Sequence, residues 1–329
     1  MLRSVARRRA VAVWSFAILF ALASCVTADA QKKPKRKAQP RGAPVLWRAQ
    51  DTDSLDLFHG PGGRAMQPDL RRLTFIEEEK GGYSTKYRVR DASGRVWVAK
   101  VGKEAQSETA ASRLLWAAGY MTEITYLAPR ATIPGRGAFE NVRFEARPSD
   151  VERHGEWKWG ENPFVGTREF QGLKVMMALL NNWDIKDANN VRLSGRHPRN
   201  GRAELRYAIS DLGATLGDTG GGPFWRITRS RNEPEDFSKD KFIDEVEEDG
   251  RIDFAFSGKK SGMLNDITVE QGRWLGRQLS RLSDRQISDA FRAANYTPSE
   301  VRVLTAAVRE RINDLVSLRR TRAARSRRD

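Results

Sequence analysis

Between residues 73 and 101 apolar and polar side chains alternate along the chain. Leu73-Thr-Phe-Ile76 leads into Gly81-Gly82-Tyr83-Ser84-Thr85, and Lys86-Tyr-Arg-Val-Arg90 then alternates residue by residue. Asp91-Ala-Ser-Gly94 carries turn residues, and Val96-Trp-Val-Ala-Lys-Val101 follows as an apolar run. A period of two, punctuated by Gly and Asp, predicts antiparallel strands entered through a Gly-Gly-x-Ser loop. Residues 104–118 predict a helix closed by Gly119, and short strands are expected near 124–133 and 139–147. Past residue 168 the period changes. Phe170, Leu173, Met176, Met177 and Leu180 recur at helical spacing, the mark of one buried face. Residues 271–282, 283–294 and 299–318 predict three more helices, with Ser283 and Ser299 as N-caps of the last two. A β-rich half followed by an α-rich half is an α+β, two-lobed architecture.

Charge is distributed unevenly along this order. Residues 1–49 hold 11 basic and 1 acidic side chain, residues 319–329 hold 6 and 1, and residues 50–318 hold 41 and 40. The nominal charge of +16 therefore sits in two tails, and no nucleic-acid-coating domain is expected. The near-neutral block is long enough to bury a large core. With one Cys and three His, at 59, 154 and 197, the chain has no zinc, iron–sulfur or disulfide framework and no Cys–His nucleophile pair. Any metal must be held by oxygen, which means magnesium or calcium.

Arg3 and the triplet Arg7 to Arg9 precede an uncharged apolar run over residues 10–23, the pattern of an export signal. Leu22-Ala23-Ser24-Cys25 resembles a bacterial lipobox, which would make Cys25 an acylated N-terminus. Ala28-Asp29-Ala30 offers ordinary cleavage after Ala30 instead, and an uncleaved anchor is the third reading. All three put the rest of the chain outside the cytoplasm, either held at a membrane or, after cleavage at Ala30, soluble. The organisation expected is a signal peptide (1–24), a disordered basic tether (25–49), a β-rich lobe (50–150), an α-rich lobe (151–318) and a basic tail (319–329).

The chemistry is expected after the buried helix, in Asn181-Asn-Trp-Asp184-Ile-Lys186-Asp-Ala-Asn189, followed by a hairpin with a polar excursion at 194–203 and by Asp211-Leu-Gly213. Taken with Val98-Ala99-Lys100 and the Gly81-Gly82 loop, this order resembles the protein-kinase-like superfamily. Asp184, Lys186 and Asn189 match its Asp-x-Lys-x-x-Asn loop, and Asp211-Leu212-Gly213 its Asp-Phe-Gly. Lys100 matches its strand lysine more loosely, with Glu108, or Glu104 as second choice, as the helical partner. The resemblance spans about residues 75–217.

The resemblance implies ATP or another nucleoside triphosphate, magnesium, and transfer of the γ-phosphate to a hydroxyl acceptor. Transfer of this kind runs on positioning and charge neutralisation. Lys100, oriented by Glu108, would hold the α- and β-phosphates. Asn189 and Asp211 would bind the metal, Asp184 would take the acceptor's proton, and Lys186 would steady the γ-phosphate. Backbone amides at Gly81 and Gly82, with Ser84, would cover the phosphates.

Departures point to an atypical branch, of phosphoinositide-kinase, toxin or secretory-kinase type. No Gly-x-Gly-x-x-Gly is present, Trp183 stands where typical protein kinases have Arg, and no Ala-Pro-Glu follows. Residues 217–223, rich in glycine, predict a flexible loop. The acceptor stays open between protein, lipid head group and sugar. A catalytically inactive kinase-like binding module of the cell envelope is the alternative. Bland readings fall to Trp157/Trp159 and Phe224/Trp225 as core or lobe-interface packing, to residues 58–63 as a tight loop, and to Lys259-Lys260 as a solvated pair.

Overall fold

The structure, a computed structural model, describes residues 42–319 apart from 83, 198, 199, 222 and 223. The export signal, Cys25, Ala30, the tether as far as residue 41 and the tail from residue 320 lie outside the described residues. Strand β1 (Ala43–Val45) is followed by β2 (Thr74–Glu79), β3 (Thr85–Arg90), β4 (Val96–Val101), helix α1 (Glu104–Ala117), β5 (Thr125–Ile133), β6 (Gly137–Ala146) and β7 (Glu152–Arg153). Helix α2 (Arg168–Leu179), the hairpin β8 (Asn190–Arg196) and β9 (Ala203–Ile209), α3 (Trp225–Thr228), α4 (Pro234–Lys239) and the hairpin β10 (Ile243–Val246) and β11 (Ile252–Phe254) come next. The chain closes with α5 (Val269–Leu279), α6 (Asp284–Ala293) and α7 (Pro298–Ser317). The β-rich N-terminal part and helical C-terminal part are those the sequence predicts, and their order is the one the resemblance implies.

Strands β2 to β6 form one antiparallel sheet in the order β2-β3-β4-β6-β5. Its two faces follow from the alternation. Tyr87, Val89, Trp97, Ala99, Val142 and Phe144 point into a separate apolar core. Register pairs Lys86 with Lys100 and Lys100 with Arg143, so the opposite face, against α1, is charged. Helix α1 spans the two environments, since Ala110, Ala111, Leu114 and Leu115 belong to the large core shared with α2 and α5 to α7. Gly119 ends it with φ +98°, a conformation costly to any residue with a Cβ, beneath the ring of Trp47.

A second sheet, ordered β1-β9-β8-β7, supports the chemistry-bearing loops. β1 corrects the expectation of a disordered tether reaching residue 49. Ala43–Val45 pair in parallel with β9, and Trp47 Nε1 donates to the Ala118 carbonyl at 2.7 Å. The short Ala-Pro-Val segment carries no pattern of its own, and its hydrogen-bond partner lies far along the chain.

In the helical part, Thr268, Ser283 and Thr297 each close a capping box with Gln271, Gln286 and Glu300. The last corrects Ser299. Pro298 occupies the first turn, where its missing N–H costs nothing, which moves the cap back to Thr297. Trp157 and Trp159 are buried in the core, as expected, whereas Phe224 is 63% exposed and packs into neither core nor lobe interface. Residues 58–63 form a tight turn whose Gly63 carbonyl accepts from Tyr126. Among the described residues no helix is long and apolar enough to cross a membrane.

Candidate functional site

Lys100 stands on the charged face of β4, with its side chain 2% exposed. Burying an ammonium is costly unless carboxylates surround it. Two come from consecutive turns of α1, where a spacing of four puts Glu104 and Glu108 on one face. Lys100 Nζ lies 2.9 Å from Glu104 Oε2 and 2.8 Å from Glu108 Oε2, so both candidate partners hold it. A third, Asp211 Oδ1, lies 3.5 Å away. Burial works against the Lys100 charge, but Glu108, Asp211 and Glu104 outweigh it and hold the ammonium above its ordinary range.

Glu108 is shared. Its other oxygen lies 3.2 Å from Arg143, whose guanidinium also donates to Glu145 at 2.9 Å. Glu145 in turn pairs with Arg147. Burial dominates and holds the Glu108 carboxyl above its ordinary range, with Arg143 and Lys100 pulling the other way.

The segment from Asn181 to Asn189 is shaped by backbone geometry. Asn181, at φ +53°, turns the chain out of α2 in the left-handed region that asparagine tolerates. Asn189 then ties three parts together. Its amide nitrogen donates to the Asp184 carbonyl at 2.8 Å, and its carbonyl accepts from Ser210 and Asp211 at 2.8 and 3.1 Å. Asp211 therefore reaches Lys100 from a position locked to the Asp184 loop. Its side chain is 43% exposed and accepts from the Gly213 amide at 3.0 Å. Burial raises the Asp211 carboxyl, yet Lys100, that amide, Arg143 and Lys86 more than offset it and hold it below the usual range.

Asp184 itself carries an ammonium on each oxygen, Lys186 at 2.7 Å and Lys259 at 2.5 Å. Lys260 lies 3.1 Å from Asp187. The Lys259-Lys260 pair is exposed, as expected of a solvated pair, but both ammoniums are ion-paired. Both lysines are seated on the loop that holds Asp184.

Gly81 and Gly82 have φ of +101° and +83°, so the turn between β2 and β3 needs residues without a Cβ. The Ser84 hydroxyl donates to Glu104 at 2.8 Å, the nearest strong acceptor. Glu104 also pairs with Arg231, which stacks on Trp183 at 4.5 Å from the ring centroid; Arg229 stacks there at 4.0 Å. Residues 217–220 of the expected flexible loop are pinned instead, with Asp218 N donating to Ser230 Oγ and Thr219 N to Asp240. Leu216 N donates to the Leu180 carbonyl at 3.0 Å, Asn181 donates to the Gly217 carbonyl at 2.7 Å, and Trp183 Nε1 donates to the Ser230 carbonyl at 2.7 Å.

The chain's own contacts thus link Lys100, Glu104, Glu108, Asp211, Asn189, Asp184, Lys186 and Lys259 without a break. The sequence reading missed Arg143, Arg231 and Lys259, and undervalued Glu104. Arg143 had a signal in the register opposite Lys100. Glu104 had one in its spacing from Glu108. Lys259 had none.

Asn189 and Asp211 offer hard oxygens on adjoining backbone, and with the Asn189 nitrogen engaged its oxygen is the atom left to bind a cation. Among the described residues no group of three or more His, Cys, Asp or Glu converges as a metal site. Two protein ligands suit magnesium, which keeps water and substrate phosphates in the rest of its shell.

No protein-family model matches the chain, and no curated protein matches it. Its fold is similar to solved kinases. The Helicobacter pylori proinflammatory kinase CtkA is 12% identical, with a TM-score of 0.48, over 75% of this chain and 96% of that one. The Chaetomium thermophilum Rio2 kinase, in an ADP/Mg2+-phosphoaspartate complex, is 10% identical, with a TM-score of 0.30, over 73% and 72%. The maize sucrose-induced receptor kinase SIRK1, bound to AMP-PNP, is 15% identical, with a TM-score of 0.21, over 75% and 93%. At TM-scores below 0.5, what this chain does has to be derived from its own side chains.

Proposed function

We propose that this protein is an exported kinase-like phosphotransferase that moves the γ-phosphate of ATP, or another nucleoside triphosphate, to a hydroxyl acceptor. One observation carries the reading: Lys100 sits between Glu108 and Asp211, and Asp211 is locked through Asn189 to Asp184. The Asn189 link, which an ion cluster serving stability alone would not need, joins the residues read here as phosphate-binding cation, metal ligands and proton acceptor.

In this reading Lys100 neutralises the α- and β-phosphates, and Glu108 fixes its direction. Asn189 and Asp211 would hold magnesium, which would supply positive charge against the charge that develops on transfer. Asp184 takes the proton of the acceptor hydroxyl as its oxygen bonds to the γ-phosphorus. The bond to the β-phosphate oxygen breaks, and the nucleoside diphosphate leaves with that electron pair. A kinase-like module that binds nucleotide without transfer is the second reading, supported by the engagement of both Asp184 oxygens.

The test is thermal unfolding of the full-length chain with ATP and magnesium, beside Asp211→Ala. A ligand at one hundred times its dissociation constant stabilises by about 2.7 kcal/mol, so the wild type should melt higher and the variant should not respond. No shift in the wild type rejects nucleotide binding. A shift without phosphate release or transfer leaves the binding module. Export and membrane attachment through acylated Cys25 belong to the same proposal, and Cys25→Ser should then release the chain from the membrane fraction. Unchanged fractionation rejects the anchor.

A further inference from the structure

We infer that Lys259 is a second lysine for the transferring phosphoryl group and that, before nucleotide binds, it is held in an ion pair on Asp184. The inference rests on the phosphotransfer reading above and adds a residue that reading does not use.

The loop carrying Lys259, between β11 and the turn at Ser261–Leu264, is fastened to the Asp184 segment at the backbone. Lys259 N donates to the Trp183 carbonyl at 2.9 Å. Gly258 lies so close that a Cβ there would come within 2.9 Å of Trp183 Cα, and Lys260 holds the left-handed φ of +57°. An ordinary surface ion pair contributes about 0–1 kcal/mol and requires no such seating. The Lys259 side chain, by contrast, is 45% exposed and joined to its partner only through its ammonium.

Asp184 holds Lys186 on Oδ2 and Lys259 on Oδ1, so a hydroxyl approaching either oxygen competes with an ammonium already paired there. Lys186 is two residues away on the same loop and stays near whatever Asp184 does. Lys259 comes from a distant element and can swing. One carboxylate does not need two ammoniums, and in the phosphotransfer reading the excess positive charge is available to the terminal oxygens of a bound triphosphate. On binding, Lys259 passes from Asp184 Oδ1 to a γ-phosphoryl oxygen. That exchange frees Oδ1 to accept the acceptor's proton as the oxygen–phosphorus bond forms and the diphosphate departs. Asp184 thereby sheds one of its two cationic partners when a third phosphate is present.

Lys259 should accordingly read the γ-phosphate and nothing else of the nucleotide. The test is calorimetric binding of AMP-PNP with magnesium and of ADP with magnesium to the full-length protein, as wild type, Lys259→Met, Lys259→Arg and Lys260→Met. Loss of one charge-assisted contact to phosphate should weaken AMP-PNP binding to Lys259→Met by about tenfold or more, with ADP binding within about twofold of wild type. Lys259→Arg should recover part of the preference for triphosphate, and Lys260→Met, which lacks only the Asp187 contact, should keep all of it. Lys259→Met that preserves the wild-type ratio, or weakens both ligands equally as a damaged fold would, overturns the role of Lys259. Wild type that binds neither ligand overturns the phosphotransfer reading and this inference together.

Discussion

Around Lys100 the interior holds Glu104, Glu108, Arg143 and Glu145, every one of them less than 6% exposed. Around α7 it holds Leu304, Val308, Ile312 and Leu315, nearly all fully buried, and a single buried cation, Arg311. That cation is spent on structure: it donates to the carbonyls of Leu179, Phe237 and Asp240 and to the Asn181 side chain. Burial pushes its guanidinium down to about 10. The helical region is stabilised by apolar area and by caps. The charged region gains little, because desolvating each ion costs several kcal/mol and the mutual attraction does little more than repay it. A protein that needed only stability there would use leucine. The network makes sense as a device that holds Lys100 ionised and aimed at Asp211, and this is the physical argument for a site.

The largest expected effect comes from breaking the network on one side only. Glu108→Ala leaves Lys100 and Arg143 short of a carboxylate and should cost about 3–5 kcal/mol in urea unfolding. Removing both partners sharpens the contrast. Lys100→Met with Glu108→Leu should unfold within about 2 kcal/mol of wild type while losing the nucleotide-induced melting shift. A double variant as unstable as Glu108→Ala would make the network structural. In the helical region a local device should have a local effect, and Thr297→Ala should cost about 1 kcal/mol through its lost cap. Nucleotide binding should be unaffected, and a changed affinity would show that the two regions are coupled.

The smallest effect concerns a carboxyl at the edge of the helical region. Burial, with Asp218 adding to it, pushes Asp240 up to about 6 from its ordinary 3.8. Its folded state therefore binds the extra proton between those values, so this group's contribution is greatest at acid pH and is lost as pH rises through about 6. With Asp240 partly exposed, Asp240→Asn should raise stability at pH 8 by no more than about 1 kcal/mol, or about 2 °C in melting temperature. At pH 4 the two proteins should melt alike. A gain that does not vary with pH would assign the effect to packing.

Much of the fold was legible because it is written in local periods. Alternation over residues 85–101 predicts β3 and β4, the spacing of Phe170, Leu173, Met176 and Met177 predicts α2, and Ser283 predicts its own helix start. Legibility failed where the partner is distant. β1 is three residues long and exists only because β9 offers an edge. Glycine-rich residues 217–221 suggest freedom, yet Asn181 and Asp240 pin them through contacts that no local pattern records. Lys259 looked like one more solvated charge because its carboxylate lies 75 residues earlier in the chain.

The amino-acid sequence alone determined the kinds of elements, their order, the caps and the set of polar side chains available for phosphate chemistry, because propensity, period and turn geometry act over a few residues. Tertiary structure alone decided which of those side chains meet. It gave Lys100 two helical carboxylates where one was expected, turned Ser84 toward Glu104, and set Lys259 against Asp184. Electrostatic pairing acts through space, so its partners are known only once the chain has folded back on itself.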